Sequence, residues 1–276
     1  MKGKLYVVGT PIGNLSDFSP RAIKTLEEVD FIAAEDTRVT LKLLNRFEIK
    51  KPMVSYHEHN LYDSGNRIIE RILNGENCAI VTDAGMPAIS DPGEVLVKQC
   101  HENDIKVESV PGPCAFSTAL AISGMESRKF TFEGFLPVNK KERKEQLEEI
   151  NTSTRTLIFY EAPHKLKQTL ADLYSALGNR DIAIVRELTK IHEEVIRTTL
   201  QDAQTLYDEK EPKGEFVLIV SGAEKGEIKE GYTLQDAVNM AKSLMNEGLS
   251  ASSAAKQAAT HTGIKRNEIY PLLIEK

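Results

Sequence analysis

Residues 77–100, NCAIVTDAGMPAISDPGEVLVKQC, run from small and β-branched apolar residues through a stretch dense in glycine, proline and aspartate into an amphipathic segment. This order predicts a strand, a stiff loop and a helix, with Asp91 as N-cap and Pro92 at the first helical position. The loop from Asp83 to Gly93 reads either as a rigid connection or as a backbone surface laid against a flat ligand, its glycines admitting close approach. Open α/β sheets bind ligands at such strand ends.

The same unit recurs on both sides. KLYVV (4–8), FIAAE (31–35), MVSY (53–56) and KVESV (106–110) alternate with amphipathic stretches, the first opened by Ser19-Pro20. A largely parallel sheet through about residue 115 follows. Two more loops end strands: GTPIGN (9–14) and VPGPCAFSTAL (110–120). The first sits where many α/β proteins hold phosphate, yet the chain has neither a P-loop lysine there nor any GxGxxG. A second series begins after Gly124 with FTFEGF, a charged helix KKERKEQLEEI, TLIFYE, a helix around KLKQTLADLYSAL, DIAIVRE, VIRTTL and GEFVLIVSG. The simplest division is an α/β domain over 1–122, a second over 123–222, a polar linker over 223–232 and a helical tail over 233–276. In that tail LSASSAAKQAATHTGIKRNEIYPLL has the helix, Thr-Gly turn and second helix of a helix-turn-helix unit. A nucleic-acid reader and a packed hairpin both fit it.

With 276 residues, 41% hydrophobic and 28% charged, the chain can bury one large or two modest cores. Its net charge of −6 excludes a general nucleic-acid coat protein and leaves room for a local basic patch. Cys78, Cys100 and Cys114 are odd in number and never spaced CxxC, so they read as buried thiols of a reducing cytoplasm. The apolar run Leu5 to Val8 is too short for a signal peptide or a membrane span. No histidine has metal-ligand spacing, so no metal is expected.

In their order, GTPIGN, AGMP, VPGPCA, FYE and GEFVLIVSG resemble the tetrapyrrole methylases. GTPIGNLSD, AEDTR, SYHEHN, DAGMPAISDPG, GFLP, FYEAPHK and RELTKIHEE are similar to the ribosomal RNA small subunit methyltransferase I subgroup, and the tail also matches it. The resemblance implies two α/β domains of the class III methyltransferase type, with S-adenosylmethionine in the cleft between them. It implies a homodimer, and transfer of methyl to the ribose 2′-oxygen of a cytidine in the decoding region of 16S rRNA, free or in the small subunit. It places the cofactor against Pro11, Ile12, Asp83, Ala84, Gly85, Met86, Ile89, Cys114, Ala115, Tyr160, Glu161, Gly214 and Glu215. Porphyrin and corrin methylases usually carry aspartate where this chain has Met86, which argues against a tetrapyrrole acceptor. A tetrapyrrole or protein side-chain acceptor, and a non-catalytic rRNA-binding assembly factor, are the competing readings.

A ribose hydroxyl must lose its proton around the time it attacks, so a positioned base is wanted. Asp36 in AEDTR ranks first and Lys190 and Glu187 in RELTKIHEE follow, although Asp36 could instead be an ion-pair support for Arg38. For RNA phosphates, Arg38, Lys42 and Arg46 would share one helix face, and Lys140, Lys141, Arg143 and Lys144 begin a helix of the second series.

Overall fold

The computed structural model describes residues 2–223, 232–246 and 248–274, so most of the expected linker lies outside the described residues. Its first half alternates β1 (Lys4–Val8), α1 (Pro20–Glu28), β2 (Phe31–Ala34), α2 (Thr37–Arg46), β3 (Met53–Ser55), α3 (Leu61–Leu73), β4 (Cys78–Val81), α4 (Gly93–Glu102), β5 (Lys106–Val110) and α5 (Ala115–Ser123). The strands form one sheet in the order β3-β2-β4-β1-β5, parallel at every pairing. Both faces are covered, as a parallel sheet requires. Leu5, Phe31, Ala33, Cys78 and Ile80 pack to one side with α3 and α4, and Val8, Ile32, Ala34, Ala79 and Val81 to the other with α1 and α2.

Helix starts follow local chemistry. The Ser19 hydroxyl accepts the Ala22 N–H and Pro20 fills the first position of α1, as expected. In α4 the start shifts by one residue: Pro92 is the N-cap and helix geometry begins at Gly93. Asp91 still accepts the Gly93 N–H at 2.7 Å, but it also accepts the Ala88 N–H at 2.8 Å, so its carboxylate closes the preceding loop.

The second half comprises β6 (Phe130–Gly134), α6 (Lys140–Ile150), β7 (Thr156–Glu161), α7 (Leu166–Leu177), β8 (Asp181–Arg186), β9 (Glu194–Thr199), α8 (Leu200–Glu209) and β10 (Phe216–Val220). Its sheet is mixed, in the order β6-β7-β10-β8-β9. Only β6 and β7 are parallel, because β10 inserts antiparallel between β7 and β8 and β9 folds back on β8. Leu157, Phe159, Ile182, Ile184 and Leu218 face α6, α7 and α8. Ile158, Ala183, Val185, Val217 and Ile219 pack instead on Ala119 and Leu120 of α5. The helix that closes the parallel half thus covers the other sheet and brings the loop after β5 against it.

The tail forms α9 (Leu234–Asn246), α10 (Ala251–Thr262), α11 (Arg266–Ile269) and α12 (Pro271–Ile274) around its own alanine-rich cluster. Gly263 ends α10 in the left-handed region, the expected turn; the second expected helix is split at Tyr270, next to Pro271.

Candidate active site

Three loops at the carboxyl end of the parallel sheet are laced together. Thr10 and Gly85 exchange backbone hydrogen bonds at 2.9 and 3.2 Å, and the Thr10 hydroxyl donates to the Thr82 carbonyl at 3.2 Å. The Gly112 N–H donates to Met86 Sδ at 3.3 Å. Gly9 and Gly112 are glycines for lack of space: a Cβ on Gly9 would lie 2.7 Å from Gly112 Cα. Gly85 is glycine for conformation, at φ 92°.

These loops wall one side of a cavity of about 590 Å³ whose other side comes from the second sheet. Among the expected cofactor residues Ile12, Asp83, Ala84, Gly85, Met86, Ile89, Cys114, Ala115, Tyr160, Glu161 and Glu215 line it. Pro11 and Gly214 do not line it; Gly214, at φ 92°, makes room for the Glu187 side chain, which a Cβ would approach to 2.5 Å. Cys114, read as buried, is half-buried in this wall, whereas Cys78 and Cys100 are buried. Sequence reading missed Asp91, Phe135, Leu188, Phe216 and Val217 as cavity residues. Phe216 and Val217 lay within a uniformly apolar strand that gave no sign of which residues reach a ligand, whereas Phe135 stood in the unexplained motif GFLP.

The cavity combines apolar walls with the carboxylates of Glu35, Asp83, Asp91, Glu161 and Glu215. Glu35 accepts the Thr82 hydroxyl, and Glu161 accepts the Thr169 hydroxyl and, at 2.8 Å, the Ala162 N–H. Burial, then the neighbouring Glu35 charge, pushes the Asp83 carboxyl above the ordinary aspartate value, against a hydrogen bond from the Asp36 N–H that lowers it. Burial raises Asp91 too, against its backbone hydrogen bonds. The Tyr160 phenol is pushed up to about 12 by burial, and its oxygen accepts the Phe116 N–H at 3.1 Å. Positive φ values at the non-glycines Ala88, Ser90, Glu187 and Thr189 border this region, the kind of strain that gathers at working sites.

Asp36, first among the expected bases, is occupied elsewhere. It caps α2 and grips Arg38 through the backbone N–H at 2.8 Å, Nε at 3.0 Å and Nη2 at 2.7 Å. Those hydrogen bonds from Arg38 hold its carboxyl down at about 2, where a carboxylate is a weak proton acceptor. Glu187 and Lys190 are joined as well: Lys190 Nζ donates to Glu187 at 2.9 Å and to Glu215 at 2.8 Å. Burial opposes the Lys190 charge, but the two carboxylates outweigh it and raise its pKa, while the lysine lowers that of Glu187. Both are thereby fixed in their charged forms. Lys190 also packs across Gly13, where a Cβ would lie 2.6 Å from its Cγ, so the cluster clasps the first loop.

Arg38, Lys42 and Arg46 stand exposed along α2, and among the described residues Lys42 and Arg46 have no ion-pair partner. In α6, Lys141 and Lys144 pair with Glu145 and Glu148, and Lys140 is exposed with no ion-pair partner among the described residues. Arg143 departs from expectation: it donates to Asp172 at 2.6 Å and to the Thr169 hydroxyl at 2.8 Å, tying α6 to α7. No His/Cys/Asp/Glu cluster suited to a metal occurs among the described residues, and none of their helices is long and apolar enough to cross a membrane.

The parallel sheet joined to a mixed one across a loop-walled cleft is a fold this chain shares with a family of methylases. Residues 4–204 match the family model described as Tetrapyrrole (Corrin/Porphyrin) Methylases, and the chain belongs to that family. Residues 234–276 match the RsmI C-terminal HTH domain. Within the family the chain falls with proteins named ribosomal RNA small subunit methyltransferase I: it is 49% identical to that of Halalkalibacterium halodurans over 98% of this chain and 94% of the relative. It is 45% identical to that of Synechocystis sp. over 99% and 98% respectively. Among solved structures, diphthine synthase superposes with a TM-score of 0.60 at 13% identity, covering 80% of this chain and 90% of that one. Uroporphyrin-III-C-methyltransferase from Thermus thermophilus gives 0.57 at 19%, covering 80% and 94%. At such identities the likeness concerns the fold alone.

Proposed function

We propose that this protein transfers a methyl group from S-adenosylmethionine to the ribose 2′-oxygen of a cytidine in the decoding region of small-subunit ribosomal RNA. The carrying observation is the cavity's lining: apolar walls for a flat base, and five carboxylates suited to a ligand bearing a sulfonium and an ammonium. The bound cofactor would supply an electrophilic methyl carbon. Ile12, Met86, Ile89 and Val217 would hold its adenosine side, and Glu35 and Glu161 its positive charges. The protein's main task is then to align acceptor and methyl carbon and to exclude water.

For the proton we assign Asp83 in place of Asp36. Asp83 faces the cavity and its carboxyl is raised, whereas Arg38 holds that of Asp36 down, so of these two Asp83 is the better proton acceptor. Lys190, held by Glu187 and Glu215, serves to clasp the first loop and fix that edge of the site. Arg38, Lys42 and Arg46 present a cationic stripe for phosphates, and Lys140, Lys141 and Lys144 a second patch. The names carried by relatives of 45–49% identity favour rRNA over a pigment or a protein side chain as acceptor. We also expect a homodimer in the cytoplasm.

The test is to incubate the purified protein with methyl-labelled S-adenosylmethionine and either small subunits or free rRNA, then digest and locate the label. Label on a cytidine ribose supports the proposal. Label on a base, on protein or nowhere refutes it, and the preferred acceptor distinguishes subunit from naked RNA.

A further inference from the structure

GFLP (134–137), a motif without an assigned task, and FYEAPHK (159–165), of which only Tyr160 and Glu161 have been placed, run out of the cavity. Phe135, Tyr160 and Pro163 line the cavity, while Pro137, Val138 and Lys165 line a separate groove of about 760 Å³ between α6 and α7. The same two segments therefore form the end of one concavity and the start of the next. Four cations line the groove, Lys140, Arg143, Lys144 and Lys165, against the carboxylates of Glu148 and Asp172. Both carboxylates are already paired, Glu148 with Lys144 and Asp172 with Arg143, and among the described residues Lys140 and Lys165 have no ion-pair partner. The groove is thus locally cationic on a chain of net charge −6. At the junction Phe135 is 55% exposed with its ring edge-on to Tyr160 at 5.6 Å, and Val138 beyond it is 80% exposed.

An exposed aromatic at the mouth of a reaction cavity, followed by unpaired lysines along a groove, is the arrangement by which proteins hold an unpaired nucleic-acid strand: rings stack on bases and cations follow the phosphates. Resting on the reading that RNA is the acceptor, we propose that the α6–α7 groove receives the single-stranded RNA adjoining the target nucleotide, with a base stacked on Phe135 and phosphates on Lys165 and Lys140. Phe135 then acts as a positioning residue, since it sets which nucleotide reaches the cavity without taking part in the transfer.

The experiment uses the full chain, methyl-labelled S-adenosylmethionine and small-subunit rRNA across a salt series, with cofactor affinity measured by calorimetry. Phe135→Ala should raise KM for RNA roughly 10- to 100-fold, the range expected for losing one base–aromatic stack, well beyond any change in affinity for the cofactor, whose cavity the ring also borders. Phe135→Tyr should restore KM. Lys165→Glu should also raise KM, and it should flatten the log–log salt dependence by about 0.7, the slope of one phosphate contact on a single strand. If the wild type labels RNA while both variants keep its KM and salt slope, the groove is not on the RNA path. A loss of cofactor affinity in Phe135→Ala equal to its loss of RNA affinity makes the ring only a cavity wall and likewise overturns the proposal. If the wild type labels no RNA at all, the failure belongs to the acceptor reading and takes the groove with it.

Discussion

Replacing Gly9 by alanine should damage cofactor binding without touching the cofactor. A Cβ there would stand 2.7 Å from both the Cα and N of Gly112, and 2.7 Å from Met86 Sδ. The methionine can swing aside, but the Gly112 backbone cannot. To reach ordinary contact at 3.4 Å the loops after β1 and β5 must part by about 0.7 Å. That separation pulls on the Gly9 N–H bond to the Val110 carbonyl, at 3.0 Å, and carries Cys114 and Ala115 away from the cavity. Overpacking of this kind costs about 1–3 kcal/mol, and at roughly 2–4 °C per kcal/mol for a chain somewhat below this size the Tm should fall by about 2–12 °C. Gly178→Ala separates the effects: Gly178 has φ 77° with nothing within 4 Å of an added Cβ, so it incurs backbone strain at a residue that does not line the cavity. Scanning fluorimetry should show both variants destabilised, and calorimetry should show cofactor affinity reduced only in Gly9→Ala. If Gly9→Ala melts lower yet binds the cofactor like wild type, the close approach of the two loops supports the fold and not the site.

Three further outcomes follow from the charges and the tail. Asp83→Asn should lower turnover by about 10²- to 10⁴-fold while Asp36→Asn stays active at saturating substrate; because Asp83 is raised and must be ionised to accept a proton, the acid limb of the wild-type pH profile should lie above the ordinary aspartate value of about 3.9. Equal losses in the two variants would return the role to the Asp36 region. Asp91→Asn keeps an oxygen for the Ala88 and Gly93 N–H groups but removes a carboxylate whose pKa is raised by burial, so the wild type loses stability as pH climbs from the unfolded value to the folded one and the variant does not. Their melting temperatures should converge in acid and separate at neutral pH, with the variant higher; a constant gap would contradict this. Deleting 232–276, which carries its own apolar cluster, should leave cofactor affinity and the melting of the remainder intact and weaken RNA binding; a large drop in Tm would instead identify the tail as a packing element.

Strands and helix starts were legible wherever local chemistry decides them: Ser19-Pro20 opens α1, and the parallel first sheet follows from apolar strands alternating with amphipathic helices. The antiparallel insertion of β10 between β7 and β8 was not, because GEFVLIVSG reads the same whichever way its neighbours run. The cavity's backbone-lined side was legible for a similar reason, since AGMP and VPGPCA announce close approach through glycine and proline. Side-chain roles were harder to read. Asp36 and Asp83 both follow a strand; the ion pair of Asp36 with Arg38 was one of two readings of AEDTR, and the folded chain decides for it and places Asp83 beside Glu35 in the cavity wall. Arg143 looked like its lysine neighbours until α7 brought Asp172 to it.

On the proposed reading, a chain of net charge −6 handles a polyanion by keeping its two kinds of charge apart. Carboxylates line the cavity, and Lys42, Arg46, Lys140 and Lys165, without ion-pair partners among the described residues, stand outside it. At physiological salt the screening length is about 8 Å, so surface lysines and arginines act on phosphates within about that distance, whatever the net charge. The carboxylate lining works the other way: it favours a cationic cofactor and repels any phosphate that follows a nucleotide inward. A strand can therefore bring a ribose edge to the mouth only if its flanking phosphates stay on the cationic rim. Removing a negative charge inside, for example by Glu35→Gln, which keeps an oxygen for the Thr82 hydroxyl, should then weaken cofactor binding by calorimetry while leaving RNA affinity level or higher. A variant that loses both equally would show that the two charge fields are not separate.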